Sequence, residues 1–413
     1  MLRRSAAALF PLAVALAVGS ATVAGCSSAA PDRAAGPSAP AATTSASSAP
    51  PRPTAPTPTA APASTPAAPT AAPTSAQAPG QAPVPTVRAT VTDGLASPWG
   101  LAVLPDGDLL VSERDSGRIL RVSAKDGAKT VAGVVPGVVS GGEGGLLGLA
   151  LSPGFATDHL VHAYLSTAAD NRIVRLSYDP GRPAGAQLGD PQALLTGIPH
   201  GGRHNGGRIA FGPDGYLYAG TGDASDKPLA QDRDSLGGKI LRLTRDGAPA
   251  PDNPFPGSPV WSLGHRNVQG LAWDGQGRLW ASEFGQDTWD ELNLITPGGN
   301  YGWPTVEGTA GRPEFTDPVA QGHTADASPS GIAYAAGAVW IAALRGERLW
   351  RVQLDGDHAA APPQAFLSGE HGRLRAVAAD RDGTLLLVTD NTDGRGDPRP
   401  GDDRILRLTV NGG

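Results

Sequence analysis

The stretch Trp99-Gly100-Leu101-Ala102, followed by the turn Pro105-Asp106-Gly107, decides the fold because it recurs. Copies of its first part stand at Leu147-Gly148-Leu149-Ala150, Gly207-Arg208-Ile209-Ala210, Gly270-Leu271-Ala272, Gly331-Ile332-Ala333 and Arg375-Ala376-Val377-Ala378. Copies of the turn stand at Pro213-Asp214-Gly215, Asp274-Gly275 and Asp382-Gly383. Each unit reads as an apolar strand, a tight Asp-Gly turn and a second apolar strand. Third strands such as Arg118–Val122, Arg172–Leu176, Lys239–Leu243, Arg348–Val352 and Arg404–Leu408 alternate polar with apolar residues. Period-two alternation repeated every ~45–60 residues is the signature of a propeller blade. Six copies predict an all-β, six-bladed β-propeller of four-stranded antiparallel blades over residues 87–413, a radial arrangement that limits exposed sheet edges. A β-sandwich is the runner-up, but it would not repeat so regularly.

Upstream of the repeats the texture differs. Arg3 and Arg4 precede the apolar run Ala6–Ala24, which ends in Val23-Ala24-Gly25-Cys26. That order of a basic and an apolar region reads as an export signal over residues 1–25. Its end resembles the lipobox of bacterial lipoproteins, which implies lipidation of Cys26, the only cysteine in the chain. The resemblance implies an exported chain held at the outer face of the cell membrane through its N-terminal lipid alone. Residues 26–86 are almost entirely Ala, Pro, Ser and Thr. Such a segment lacks the apolar surface to offset its ordering entropy and reads as a disordered tether. In polyproline II it extends up to ~190 Å at ~3.1 Å per residue. The formal charge of −6, without a basic patch or stripe, argues against a nucleic-acid partner.

In an antiparallel blade, the loop leading into the first strand and the loop trailing the second lie at the same end. Those loops therefore meet around the central channel. They carry Glu143, His204-Asn205, Gly222-Asp223, Arg266-Asn267, Glu283-Phe284-Gly285-Gln286-Asp287, Arg345, Arg373 and Arg375. Arginines from different blades suit a ligand with several carboxylates. A histidine near a carboxylate suits a general base. Glycine loops that expose carbonyls suit Ca²⁺. Together they predict a redox-cofactor site.

The motifs His204-Asn205-Gly206-Gly207-Arg208, Gly220-Thr221-Gly222-Asp223, Gly264-His265-Arg266-Asn267, Asp290-Glu291-Leu292-Asn293 and Gly298-Gly299-Asn300-Tyr301-Gly302-Trp303-Pro304 carry a resemblance. In this order they resemble the pyrroloquinoline-quinone-dependent soluble aldose (glucose/sorbosone) dehydrogenases, from about Leu95 to Leu408. The resemblance implies oxidation of an aldose at C1 to its lactone, with hydride transfer to the quinone and electrons passed to a further acceptor. It implies His204 as base, Asp223 as its partner and Arg266 beside the quinone oxygen. Asn267, Arg345, Arg373 and Arg375 would hold the cofactor. The carbonyls of Gly285 and Gln286 would hold its Ca²⁺, and Glu291 with the Tyr301 carbonyl a second, structural Ca²⁺. Glu143 and Phe284 would face the sugar, and Trp303 would line the site. His200 and His265 read as structural or loop residues.

Phe284, Gln286 and Arg345 depart from the family pattern, which commonly has a Gly-Pro loop and a lysine there. Those departures leave open a non-catalytic propeller lipoprotein that binds a sugar or an envelope partner. A metal-dependent lactonase needs carboxylate and asparagine ligands at the channel centre, where this chain places arginines.

Overall fold

Six antiparallel sheets, with blade one spanning Pro98–Val103, Leu109–Glu113, Arg118–Val122 and Lys129–Val134, follow one another along the chain. The computed structural model describes residues 84–410. The proposed signal, most of the tether and Cys26 lie outside the described residues. Blade two comprises Leu146–Leu151, Leu160–Ser166, Asn171–Ser177 and Gln192–Ile198. Blade three comprises Ile209–Phe211, Leu217–Gly220, Lys239–Leu243 and Val260–Leu263. Blade four comprises Val268–Trp273, Leu279–Glu283, Trp289–Ile295 and Ala320–His323. Blade five runs Pro329–Ala335, Ala338–Ala343 and Arg348–Asp355, against which both His358–Ala359 and Gln364–Phe366 pair.

Blade six is bipartite. Its inner strands Leu374–Ala379, Leu385–Thr389 and Ile405–Val410 are completed by Pro85–Thr92 from the other end of the described chain. Pro85 pairs with Val410 and Thr92 with Ile405, with two register shifts between. The propeller thus starts at Pro85, two residues ahead of the predicted boundary. The third strand of this blade begins at Ile405 rather than Arg404, because the Arg404 amide turns to the Thr389 hydroxyl.

Second strands are buried almost throughout, and Leu109–Glu113 and Leu279–Glu283 are buried at every position. Neighbouring blades cover both of their faces, so alternation survives only toward the outer strands. One core cluster joins Leu147, Tyr164 and Ile173 of blade two to Ile209, Leu217 and Leu241 of blade three. Trp280 and Trp340 are fully buried. Each such indole removes roughly 150–250 Å² from water, worth roughly 4–6 kcal/mol before ordering costs at about 25 cal/mol per Å². The Asp-Gly turns are stitched from within. Asp274 accepts from the Gln276 and Arg278 amides, from Arg278 Nε and from Trp280 Nε1.

Lys239–Leu243 departs from the alternation predicted for it, since all five residues are buried. Arg242 lies over the rings of Tyr216 and Trp261 at 4.0 and 4.8 Å. Lys239 turns its ammonium onto the carbonyls of Leu229, Ala230 and Gly237 at 2.6, 3.1 and 2.7 Å. A buried charge is tolerated when it is fully hydrogen-bonded. Burial still pushes the Lys239 pKa down to about 8. The result is a cationic staple under the loop that follows Asp223.

Candidate active site

The leading and trailing loops converge, as the topology requires, on a cavity of about 320 Å³. Its lining includes Glu143, His204, Arg266, Asn267, Phe284, Gly285, Gln286, Arg345, Arg373 and Arg375. Asp223, Glu291 and Tyr301 are not in its wall. Asp223 stands directly behind His204, while Glu291 and Tyr301 line a smaller void beside it.

His204 is held from three directions. Its backbone amide donates to Glu143 Oε2 at 2.8 Å, and its Nδ1 meets Asp223 Oδ1 at 2.7 Å. Trp303 Nε1 and the Ser225 amide donate to the same carboxylate, each at 2.8 Å. Burial alone would raise the pKa of Asp223, but the hydrogen bond and charge of His204 outweigh it and the net direction is down. An ionised carboxylate accepts only, so Nδ1 carries the proton and Nε2 is left as the acceptor. His204, Ala224 and Ser225 adopt φ of 57°, 51° and 69°, a left-handed conformation unusual for non-glycine residues. Such strain persists where surrounding bonds over-determine it. Here Ala224 N donates to His204 O, and Asp223 N to Arg266 O. Gly222 is required beside them, because a Cβ there would stand 1.9 Å from the His204 carbonyl oxygen.

Arg266 reaches the cavity from the leading loop of blade four. Nη1 donates to the Phe284 carbonyl at 3.2 Å, while Nε is buried without a partner. Burial lowers its pKa, against the pull of Asp223 and Glu143. Asn267 spends its Oδ1 on the Gly206 amide. The floor is cationic but largely neutralised. Arg373 donates to Asp393, and Arg375 to Asp390 and Gln269. Arg375 and Arg208 lie over the Trp99 ring, at 5.7 and 4.2 Å from its centroid. Arg345 and Arg203 line the cavity, are exposed and have no polar partner among the described residues. Glu143, expected to face the sugar, is engaged twice: by the His204 amide and by Arg395 Nη1 at 3.0 Å.

The donor sets fit the groups that the resemblance implies. For a quinone bearing carboxylates, Arg345 and the Arg266 Nε offer unspent donors. For Ca²⁺, the carbonyls of Gly285 and Gln286 accept no hydrogen bond from the described residues, although the Phe284, Asp287 and Thr288 carbonyls around them do. Beneath lies a second oxygen-rich set. Asn293 Nδ2 donates to Glu283 and Glu291, and its Oδ1 is buried without a partner. Burial, then the charge of Glu283, pushes the Glu291 pKa up to about 8. Two carboxylates around an orphaned amide oxygen suit a hard cation. His265 is fully buried between Ser262 and Glu283 and stacks on Tyr301 at 4.6 Å, consistent with a structural role.

Sequence reasoning missed Arg114, Asp390, Asp393 and Arg395, although the loop rule reaches them. They occupy the trailing loops of blades one and six, as Asp223 does in blade three. With Arg114, Arg395 and Arg203, the count of arginines lining the cavity rises from four to seven.

A solved aldose sugar dehydrogenase from Streptomyces coelicolor, with pyrroloquinoline quinone bound, is 66% identical. It covers 81% of this chain and 100% of its own, with a TM-score of 0.80. The aldose sugar dehydrogenase YliI of Escherichia coli is 29% identical over 343 residues, 76% of this chain and 92% of its own. Quinoprotein glucose dehydrogenase B of Acinetobacter calcoaceticus is 35% identical over 257 residues, 54% of this chain and 53% of its own. Residues 95–406 match the glucose/sorbosone dehydrogenase family. The chain belongs to that family.

Proposed function

We propose that this chain is a quinoprotein dehydrogenase that oxidises the C1 hydroxyl of an aldose to the lactone, with two electrons and the C1 hydrogen passing to pyrroloquinoline quinone. The observation that carries it is the 2.7 Å bond between His204 Nδ1 and the buried Asp223 carboxylate, placed in a cavity walled by arginines. The quinone, when bound with Ca²⁺, supplies the hydride acceptor and a Lewis acid polarises it. Everything else falls to the chain. His204 Nε2 takes the hydroxyl proton, and Asp223 holds the ring in that orientation and balances the imidazolium charge. Arg266 presents a cation where negative charge grows. Arg345, Arg373, Arg375 and Asn267 hold the cofactor, and the Gly285 and Gln286 carbonyls its Ca²⁺. Glu291, Asn293 and the Tyr301 carbonyl hold the second ion. The quinone carried by the Streptomyces relative supports this assignment.

The aldose is the substrate, and the reduced cofactor passes its electrons to an acceptor outside the chain. Arg3-Arg4, the apolar run and Cys26 support export and anchoring to the outer face of the membrane. Replacement of Cys26 by Ser is then expected to release the chain from the membrane fraction.

The test of the activity is reconstitution of the purified chain with the quinone and Ca²⁺, followed by dye reduction against a panel of aldoses. Turnover that vanishes in His204→Ala is the expected result. A chain that binds a sugar but reduces no dye would establish the non-catalytic reading instead.

A further inference from the structure

The loop Gly285–Trp289 leaves blade four at the cavity wall and is exposed at Gln286, Asp287 and Thr288. An exposed loop of this kind ordinarily gives its amides to water. Here they go to two carboxylates. The Gly285 amide donates to Asp290 Oδ1 at 2.8 Å. The next four amides, of Gln286, Asp287, Thr288 and Trp289, all donate to Glu307 Oε1, at 2.8, 3.1, 2.9 and 2.9 Å.

The planar trans peptide makes this decisive. The C=O of one residue and the N–H of the next share a plane and point in opposite directions. Turning the Gln286 and Asp287 amides onto Glu307 therefore turns the Gly285 and Gln286 carbonyls away from it. The two carbonyls that follow are accounted for on that far side, since Asp287 O accepts from Thr324 Oγ1 and Thr288 O from the Thr324 amide. Those of Gly285 and Gln286 accept nothing from the described residues, and both residues line the cavity. A carboxylate on the N–H side of a peptide also polarises it, so the opposite oxygen becomes the better ligand. Gly285 admits no side chain in this arrangement, because a Cβ would stand 1.8 Å from the Trp289 carbonyl oxygen and 2.6 Å from Glu307 Oε1.

We infer that Glu307 is a positioning residue for the cofactor's cation: by gathering four successive amides onto one oxygen, it fixes the Gly285 and Gln286 carbonyls as ligands aimed into the cavity. The inference rests on the reading of those two carbonyls as the Ca²⁺ ligands. It also explains how a loop with Gln at 286 keeps its shape without a proline.

The test uses the full chain, freed of metal, in the presence of pyrroloquinoline quinone. Ca²⁺ is titrated while the quinone absorbance is followed, which reads the ion beside the quinone and not the deeper one. In Glu307→Gln the half-saturating Ca²⁺ is expected to rise roughly 10–100-fold, the usual cost of losing an outer support of a metal ligand. Saturating Ca²⁺ should restore the full amplitude, which a merely unfolded loop would not allow. A folded Glu307→Gln chain that titrates like the unsubstituted one overturns the inference and leaves the carbonyl site standing. An unsubstituted chain whose quinone absorbance ignores Ca²⁺ removes the carbonyl site itself. Hydrogen exchange on the unsubstituted chain needs no variant. The amides of residues 286–289 should exchange slowly before metal is added, and exchange at the rate of an open loop would overturn the inference.

Discussion

Trp303 and Asp223 meet at 2.8 Å, the indole N–H donating to the carboxylate oxygen that His204 leaves free. A residue from a long excursion of blade four thus holds the carboxylate that orients His204 on the leading loop of blade three. Replacing Asp223 by Asn puts an amide where an acceptor must be and permits the wrong histidine tautomer. Turnover should fall roughly 10²–10⁴-fold, with little change in the KM for the sugar. Steady-state kinetics on the reconstituted chain check it, and an unchanged kcat would show that His204 is not the base.

Trp303→Phe should move the acid limb of the pH–rate profile upward. The Trp303 bond is one of the interactions that hold the Asp223 pKa below its ordinary value, after the larger contribution of His204. Asp223 is needed ionised, so its activity contribution is present above its pKa and lost as pH falls through it. With the donor gone that pKa rises, and the loss begins at higher pH. Coincident acid limbs in the two proteins would contradict this.

Quinone affinity should depend on Asp390. Burial, opposed by Arg375, raises its pKa to about 6. Below that pH the carboxyl is neutral and leaves Arg375 free to attract an anionic cofactor. Above it the two carboxylate charges compete. Affinity is therefore expected to fall roughly tenfold as pH rises through about 6, about one unit-charge contact or ~1.4 kcal/mol. Stability follows the same sign, since this group's contribution is full below its unfolded value and fades as pH rises through the folded one. Fluorescence titrations of Asp390→Asn should be flat across that range.

Arg345 is exposed and has no polar partner among the described residues, so its removal should cost the apo chain nothing. Arg345→Ala is expected to leave the melting temperature unchanged while weakening quinone binding roughly tenfold or more, the worth of a charge-assisted hydrogen bond. Arg345→Lys should recover much of that. A melting-temperature loss without a change in quinone affinity would assign Arg345 to the scaffold.

Lys239 should behave in the opposite way. Lys239→Met leaves the Leu229 and Gly237 carbonyls without their donor and the Ala230 carbonyl with only the Gly264 amide, which is expected to destabilise the chain by about 3 kcal/mol. Denaturant unfolding measures it, and a loss under 1 kcal/mol (about what one hydrogen bond contributes) would mean that water replaces the ammonium.

The propeller was legible because its repeats are local. Each strand of the Gly-Leu-Ala kind states its own geometry, as do the four Asp-Gly turns, and six such strands state the architecture. Strand ends slipped by one or two residues, at Pro85 and Ile405, because side-chain bonds and register shifts set them. The placement of His204 and of the arginines of the floor in one cavity was legible because blade topology sends those loops to one end. The same rule holds for Arg114 and Asp393, which needed only to be carried around all six blades. Glu307 was out of reach in principle. It lies between the third and fourth strands of blade four, a connection that the loop rule assigns to the far end. In the structure residues 296–319 climb back to the site, where Asn300 pairs with Leu263 and Trp303 meets Asp223. No periodicity records that detour.

The bipartite sixth blade has a consequence in time. Pro85–Thr92 is made first and has no sheet partner until Ile405–Val410 is complete. Chain synthesis thus carries an unpaired strand through the production of five blades. Closure is reserved for the last strand, which lies between Pro85–Thr92 and Leu385–Thr389. A chain stopped at residue 404 would hold every member of the His204 centre and still leave its ring open.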